Sequence, residues 1–202
     1  MKKPVKLLNI TNREIHRDDR IIRDHEDLVE VTTFFKQEGK KIVYTSGVYD
    51  LFHVGHSLYL EKAKNCGDIL VLAIDSDEFV KSRKGPKRPI VTLEERLEIL
   101  ISNRSVDIIT VLHSKEQADA LIKSIKPDIL VISETTKDKP NFVEDMKQKL
   151  GDSVGEVKVL EPQAETSTSA RVRTLPLDGA NDLSELLMQT IQNYLTQKGG
   201  TE

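Results

Sequence analysis

Five apolar runs of strand length, separated by stretches with helical periodicity, constrain the fold of this chain more than any other feature. The run DILVLAID (68–75) is almost continuously apolar, which is the pattern of a strand covered on both faces. Four further runs have strand character, at 41–47, 106–112, 127–133 and 155–161. Strands that alternate with helices form right-handed βαβ units. We therefore predict an α/β fold: a three-layer α/β/α sandwich around a five-stranded parallel sheet.

The helices have sequence signals at their ends. Thr92 is followed three residues later by Glu95, which predicts a capping box at the start of TLEERLEIL. The segment HSLYLEKAKNCG is predicted as a helix that Gly67 ends as its C-cap. We predict three parts: a polar N-terminal extension (1–23), the main domain (24–175) and an amphipathic C-terminal helix (176–202).

Composition excludes several classes of protein. The 202 residues carry 30 basic and 33 acidic side chains, so a net charge of −3 argues against a nucleic-acid partner. The lone cysteine, Cys66, has no internal disulfide partner, which predicts a reducing, cytoplasmic location. No apolar run approaches the ~20 residues that span a bilayer, so we expect neither membrane insertion nor export.

The stretch GVYDLFHVGH (47–56) is the strongest candidate site. It follows the first strand and opens the first helix of the sheet, where ligands of parallel α/β folds collect and where a helix N-terminus attracts anions. His53 and His56 could donate hydrogen bonds to phosphate oxygens there. Zinc binding is the competing functional interpretation, but the two histidines lack a third nearby ligand. The structural alternative is a pair of histidines satisfied by the backbone of a turn.

This stretch matches the G-x-(F/Y)-D-x-x-H-x-G-H signature, and the chain resembles the HIGH-motif nucleotidyltransferases of the cytidylyltransferase-like superfamily. Over residues 24–132 it is most similar to the nucleotidyltransferase domain of ADP-heptose synthases. Glycerol-3-phosphate and ethanolamine-phosphate cytidylyltransferases come next. The resemblance implies a Rossmann-like fold, and the main domain would then be a nucleotidyltransferase domain.

The resemblance also implies a reaction. The phosphate of a phosphorylated small molecule attacks the α-phosphorus of a nucleoside triphosphate, and pyrophosphate leaves. Mg²⁺ is expected to come with the triphosphate, and the KGPKRP segment favours ATP over CTP. The implied catalytic residues are His53, His56 and Lys84. Nucleotide binding is implied for Gly47, Val48, Tyr49, Gly55, Arg88, Arg104, Ser167, Thr168, Ser169 and Arg173.

Some of these roles have alternatives. Asp50 and Glu134 are assigned to substrate binding, although Asp50 could instead be structural. Arg104 would contact a phosphate or pair with Asp107. Ser167 and Thr168 could serve only as a helix cap, and Arg171 competes with Arg173 because the register there is ambiguous. Arg96 is expected at a helix surface or packed on the sheet. No residue is predicted to be a metal ligand.

A basic segment, KSRKGPKRP (81–89), follows the second strand. Gly85, Pro86 and Pro89 argue against a regular element. A basic loop can simply be solvated, but its place after the second strand favours a mobile loop that clamps phosphate. Its five cations are Lys81, Arg83, Lys84, Lys87 and Arg88.

The last third departs from the family pattern. VISETTKD stands where these families have a Gly- and Asp-containing segment, and PQAETSTSARVR lacks the usual glycine and preceding arginine. These changes leave open a second hypothesis, a nucleotide-binding regulatory protein without turnover. The resemblance also implies a homodimer, although no feature of the sequence itself points to one.

Overall fold

The computed structural model describes residues 17–134, 142–163 and 187–188. The chain divides into two compact units, 1–165 and 166–202. The sheet, its flanking helices and the candidate motif all belong to the first unit. In the second, residues 187–188 are helical. The predicted boundary at 175/176 and the predicted C-terminal helix otherwise lie outside the described residues.

The described residues form one five-stranded parallel sheet with the order β3-β2-β1-β4-β5, which confirms the predicted α/β fold. The strands are β1 (Ile42–Gly47), β2 (Ile69–Asp75), β3 (Ile108–Leu112), β4 (Ile129–Ser133) and β5 (Glu156–Leu160). The helices are α1 (His25–Gln37), α2 (Val54–Lys64), α3 (Asp77–Lys84), α4 (Leu93–Ile101), α5 (Lys115–Ile125) and α6 (Phe142–Leu150). None of these helices is long and apolar enough to cross a bilayer.

Two apolar cores cover the two faces of the sheet because successive side chains of a strand point in opposite directions. Tyr44 and Val71 belong to the core that packs against α1 and α5. Val43 and Leu72 belong to the core that packs against α2 and α4. The sheet therefore lies between two helical layers, as predicted.

The strand order reverses between β1 and β4. From β1 the chain passes through β2 to β3, and it then crosses back to place β4 on the other side of β1. In sheets of this kind, ligands bind in the crevice at the carboxyl ends of the strands where the order reverses. The fold thus directs a ligand to the end of β1, where the candidate motif begins.

Part of the predicted N-terminal extension belongs to the sheet. The Ile22 N–H donates to the Ile109 carbonyl at 2.8 Å, and Ile21 forms a parallel bridge to Ile109. The Arg20 guanidinium donates to the Val106 carbonyl at 2.8 Å. The predicted boundary at residue 23 stays a prediction. Residues 20–22 provide partners for backbone groups at the edge of β3 that faces away from β2.

Two predictions about helix boundaries fail for local reasons. Helix α2 ends at Lys64 with Asn65 as its cap, so Gly67 is not the C-cap. Gly67 is needed for close packing instead, because a Cβ there would lie 2.7 Å from Cγ2 of Val43. The basic segment is also not a loop throughout, since residues up to Lys84 belong to α3 and Gly85 follows them with a φ of 91°.

Candidate active site

The candidate motif forms a tight corner between β1 and α2. Tyr49 and Leu51 adopt left-handed backbone conformations, with φ of 52° and 47°. Such conformations are unfavourable for residues with a side chain and concentrate at functional sites. The Tyr49 ring packs against Gly47, where a Cβ would lie 2.9 Å from Cε2 of Tyr49. A glycine is therefore required at the end of β1.

His53 is the N-cap of α2. Its Nδ1 accepts the Gly55 N–H at 3.1 Å, as an N-cap side chain does for one of the unsatisfied donors of a first turn. Because Nδ1 accepts this bond, a neutral His53 carries its proton on Nε2. The cap thus fixes the tautomer and makes Nε2 the donor.

His56 stacks on His53 inside the first turn. The two ring centroids are 3.9 Å apart, with 26° between the planes. Its Nδ1 is buried and has no hydrogen-bond partner among the described residues. Burial, then the charges of His53 and Lys84, lower the pKa of His56 to about 4 against the opposing charge of Asp50. His56 is therefore neutral at pH 7.

Lys84 is the last residue of α3 and lies close enough for its charge to act on His56. Partial burial, then the charges of Arg83 and Arg88, lower the pKa of the Lys84 ammonium, although Asp75 and Asp50 oppose them. Because these positive charges repel one another, a bound anion would stabilise them. His53 and His56 are thus in ring contact and the charge of Lys84 acts on His56, whereas their catalytic role stays a prediction.

Asp50 anchors the segment that follows α3. Its buried carboxylate accepts from Arg88 at 2.8 Å, from the Ile90 N–H at 3.1 Å and from the Val91 N–H at 3.0 Å. Burial raises the pKa of Asp50, but the bonds from Val91, Ile90 and Arg88 outweigh it and lower the pKa. Asp50 was predicted to bind substrate or to have a structural role, and its bonds to residues 88–91 agree with the structural role. The same bonds hold residues 88–91, at the end of the predicted mobile clamp, in place.

Arg96 is a site residue that the sequence did not indicate. Its side chain is only 1% exposed. The guanidinium donates to the Val48 carbonyl at 2.7 Å and the Asp75 carbonyl at 2.9 Å, and it pairs with Asp77 at 2.6 Å. It therefore joins the ends of β1 and β2 beneath the motif.

The remaining predicted site residues are more scattered. Arg104 is 85% exposed and pairs with Glu61 at 3.2 Å, so the predicted alternative of a pair with Asp107 is wrong. Asp107 pairs instead with Lys64 at 2.5 Å. Glu134 is exposed directly after β4. Four predicted residues lie outside the described part of the chain: Ser167, Thr168, Ser169 and Arg173.

The described residues do not build a metal cage. No group of three or more His, Cys, Asp or Glu side chains within 17–134 and 142–163 is arranged to hold an ion. At the corner, the Asp50 carboxylate binds Arg88 and that of Asp75 binds Arg83. Mg²⁺ usually keeps several waters and binds through substrate phosphates with one or two carboxylates. That Mg²⁺ comes with a triphosphate stays a prediction.

Comparisons with known proteins identify the family of the chain. A model of the cytidylyltransferase-like family matches residues 44–178. The bifunctional protein HldE of Desulfatibacillum aliphaticivorans is 37% identical over 147 residues, which cover 73% of this chain and 29% of HldE. The chain thus spans less than a third of the length of that relative.

Two solved structures extend the comparison. The lipopolysaccharide core biosynthesis protein of Thermoplasma volcanium has a TM-score of 0.50 and 30% identity, covering 60% of this chain and 98% of that protein. Pantoate-β-alanine ligase of Francisella tularensis has a TM-score of 0.52 at 14% identity, over 74% of this chain and 68% of the ligase, and it shows the fold alone. Because the family model covers more than half of the chain, the predicted resemblance is confirmed. The chain belongs to the cytidylyltransferase-like family, and its enzyme class is that of a nucleotidyltransferase.

Proposed function

We propose that this chain transfers the nucleoside monophosphate part of a nucleoside triphosphate to a phosphorylated small molecule and releases pyrophosphate. ATP is favoured over CTP, and the acceptor is a sugar phosphate or an alcohol phosphate. The observation that carries the proposal is the stacked pair His53 and His56 at the start of α2, with the Lys84 charge acting on it.

The proposed reaction needs positioning more than it needs a base. An oxygen of the acceptor phosphate is already an anion, so it attacks the α-phosphorus without losing a proton. The new P–O bond forms as the bond to the β-phosphate oxygen breaks, and pyrophosphate leaves with the electron pair. The protein must therefore hold the two phosphates in line and stabilise the charge that develops on them.

The described residues supply that stabilisation in distinct ways. A neutral His53 has one N–H donor, at Nε2, because its Nδ1 accepts the N-cap bond from Gly55. His56 is neutral in the free protein, and a nearby triphosphate would raise its pKa by attraction. Lys84 contributes a full positive charge. When bound with the triphosphate, Mg²⁺ neutralises phosphate charge, and we assign no described residue as its ligand.

The sugar-phosphate and ATP preferences rest on similarity to HldE and on the KGPKRP segment. The chain matches less than a third of HldE, so the activity of that bifunctional protein is not carried over as a whole. The homodimer and the cytoplasmic location also stay predictions. Sedimentation equilibrium of the purified chain would test the first.

Pyrophosphate release tests the function. The assay pairs ATP or CTP, with Mg²⁺, against a panel of sugar 1-phosphates, glycerol 3-phosphate, phosphoethanolamine and phosphocholine. We expect release that requires one acceptor and that His56→Ala and Lys84→Ala each reduce at least about 100-fold, as removal of a transition-state contact does. Lys62→Ala and His113→Ala are matched controls, because both side chains are exposed and neither is assigned a role in the reaction.

The outcomes separate the two hypotheses. Acceptor-dependent release that both site variants abolish would support transfer. Tight nucleotide binding without release, across the whole panel, would contradict transfer and favour the nucleotide-binding regulatory protein.

A further inference from the structure

The sheet opens between β1 and β4 well before either strand ends. These strands pair only at Val43↔Ile129 and Tyr44↔Leu130. On its other side, β1 stays paired with β2 as far as Gly47↔Ile74. The unpaired stretch beyond residue 44 lies at the carboxyl ends of the strands, where such sheets have their ligand crevice, beside the candidate motif.

Two hydroxyl groups replace the missing backbone pairing. The Val131 carbonyl oxygen lies 2.9 Å from Thr45 Oγ1 and 3.2 Å from the Tyr59 hydroxyl, and the two hydroxyl oxygens are 2.8 Å apart. Each hydroxyl has one proton, so two of these three contacts are hydrogen bonds at any time, and either hydroxyl can donate to the carbonyl. Thr45 and Val131 are both buried, so the carbonyl would otherwise have to be satisfied away from water. We call Thr45, Tyr59 and the Val131 carbonyl the hydroxyl latch.

The latch connects three elements that meet at the site. Thr45 lies on β1 just before the motif, and Val131 lies on β4 just before the exposed Glu134. Tyr59 lies on α2, three residues after His56, and residues three apart share a helix face. A bond from Tyr59 to β4 therefore also fixes the first turns of α2 relative to the crevice.

We propose that Thr45 and Tyr59 are positioning residues: the hydroxyl latch sets the separation of β1 from β4 and holds His56 against the crevice. The part of this inference that concerns turnover rests on the proposed function. The part that concerns geometry does not, because the position of His56 can be measured without any reaction.

The latch has a redundancy that makes it testable. In Thr45→Val the Tyr59 hydroxyl still donates to Val131, and in Tyr59→Phe the Thr45 hydroxyl does. Each single variant should lower kcat/KM by about threefold or less. In the double variant the buried carbonyl loses both donors, which is the costly case for a polar group. We expect kcat/KM to fall at least about 30-fold, more than the product of the single effects.

The chain supplies matched controls for both substitutions. Thr110 Oγ1 and the Tyr44 hydroxyl are buried and have no hydrogen-bond partner among the described residues. Thr110→Val and Tyr44→Phe make the same chemical changes in β3 and β1 without touching the latch. The double control variant should keep the kcat/KM of the wild type.

The deciding measurement is the histidine titration by NMR, which needs no acceptor. The chain has five histidines, and the His56 signal is assigned by its loss in His56→Gln. In Thr45→Val/Tyr59→Phe the loosened burial should raise the His56 pKa from about 4 toward 6.5, whereas the double control should leave it unchanged. If the latch variant does not fold, Thr45→Cys/Tyr59→Phe, in which a weak thiol donor replaces both hydroxyls, is compared with Thr110→Cys/Tyr44→Phe by the same readout.

The outcomes separate this inference from the proposed function. An unchanged His56 pKa in the latch variant, or an equal shift in the control, would overturn the positioning role. A wild-type protein that turns over no acceptor would refute the proposed function, and the titration would still decide the latch.

Discussion

The buried guanidinium of Arg96 gives the sharpest prediction about how the fold supports the site. Replacing Arg96 with methionine keeps a long, helix-compatible side chain but removes every donor. It leaves the Asp77 carboxylate without this 2.6 Å partner, and it leaves the Val48 and Asp75 carbonyls without these donors. The change therefore isolates the hydrogen bonds and the charge from the packing.

The expected loss follows from these contacts. Removing one partner of a buried ion pair costs about 3–5 kcal/mol because it leaves an uncompensated charge. The Asp77 side chain is 24% exposed, so water recovers part of this cost. The Val48 and Asp75 carbonyls add about 1 kcal/mol each where water does not replace the donor. We expect Arg96→Met to lower the free energy of unfolding by about 3–5 kcal/mol in total.

Urea unfolding measures this difference, with two reference variants. Arg96→Lys keeps the charge but lacks the planar fork, so it should recover only part of the loss. Arg23→Met breaks an exposed pair with Glu94, and such pairs contribute about 0–1 kcal/mol. An Arg96→Met midpoint indistinguishable from that of Arg23→Met, at unchanged m, would refute a central role for Arg96.

Three further predictions concern pH, an unsatisfied hydroxyl and the anchored segment. His56 has a folded pKa of about 4 and an ordinary value of 6.5, so the unfolded chain takes up the proton first. The free energy of unfolding should therefore be unaffected by His56 above pH 6.5 and should fall by up to about 3 kcal/mol as the pH drops toward 4. His56→Gln should remove this pH dependence from a series of urea unfolding curves. Thr110→Val should raise the free energy of unfolding by about 1 kcal/mol, because it removes a buried hydroxyl without a partner among the described residues; a lower urea midpoint would contradict this. Asp50→Ala should speed amide exchange at Ile90 and Val91 at least about tenfold, since their N–H groups lose an acceptor, and unchanged protection would show that Asp50 does not anchor the segment.

The sheet could be predicted from the sequence because each strand is marked by a run of neighbouring apolar residues. A strand covered on both faces must be apolar almost throughout, and every residue of β2 is buried. The capping box of Thr92 and Glu95 is confirmed for the same reason, since both partners lie within one turn. The motif at 47–56 also follows from the order of elements, which places it at the end of β1.

The predictions that failed depend on contacts between residues distant in sequence, or on local signals for a helix and for a loop in the same segment. In the basic segment, Gly85 and two prolines obscured the signal of a helix that Ser76 caps by accepting the Phe79 N–H at 3.3 Å. Arg104 pairs with Glu61, which is 43 residues away, and no local spacing indicates that.

For Arg96 the sequence left two alternatives, a helix surface or packing on the sheet, and the structure shows the packed one. Arg96 lies on the buried stripe of α4, three residues after Leu93 and four before Leu100, and the stripe was the stronger signal. The bonds of Asp50 to residues 88–91 and the hydroxyl latch likewise depend on how the strands separate. Sequence spacing gives no measure of that separation.

The most direct test of nucleotidyl transfer tracks the phosphorus atoms. Purified protein, Mg²⁺ and the acceptor from the pyrophosphate screen are incubated with ATP labelled at either the α- or the γ-phosphorus. If the α-phosphorus is attacked, the α label appears in the acceptor product and the γ label appears in pyrophosphate. Transfer of the γ label to the acceptor, or no transfer of either label while ATP stays bound, would contradict the reaction proposed for the His53, His56 and Lys84 site.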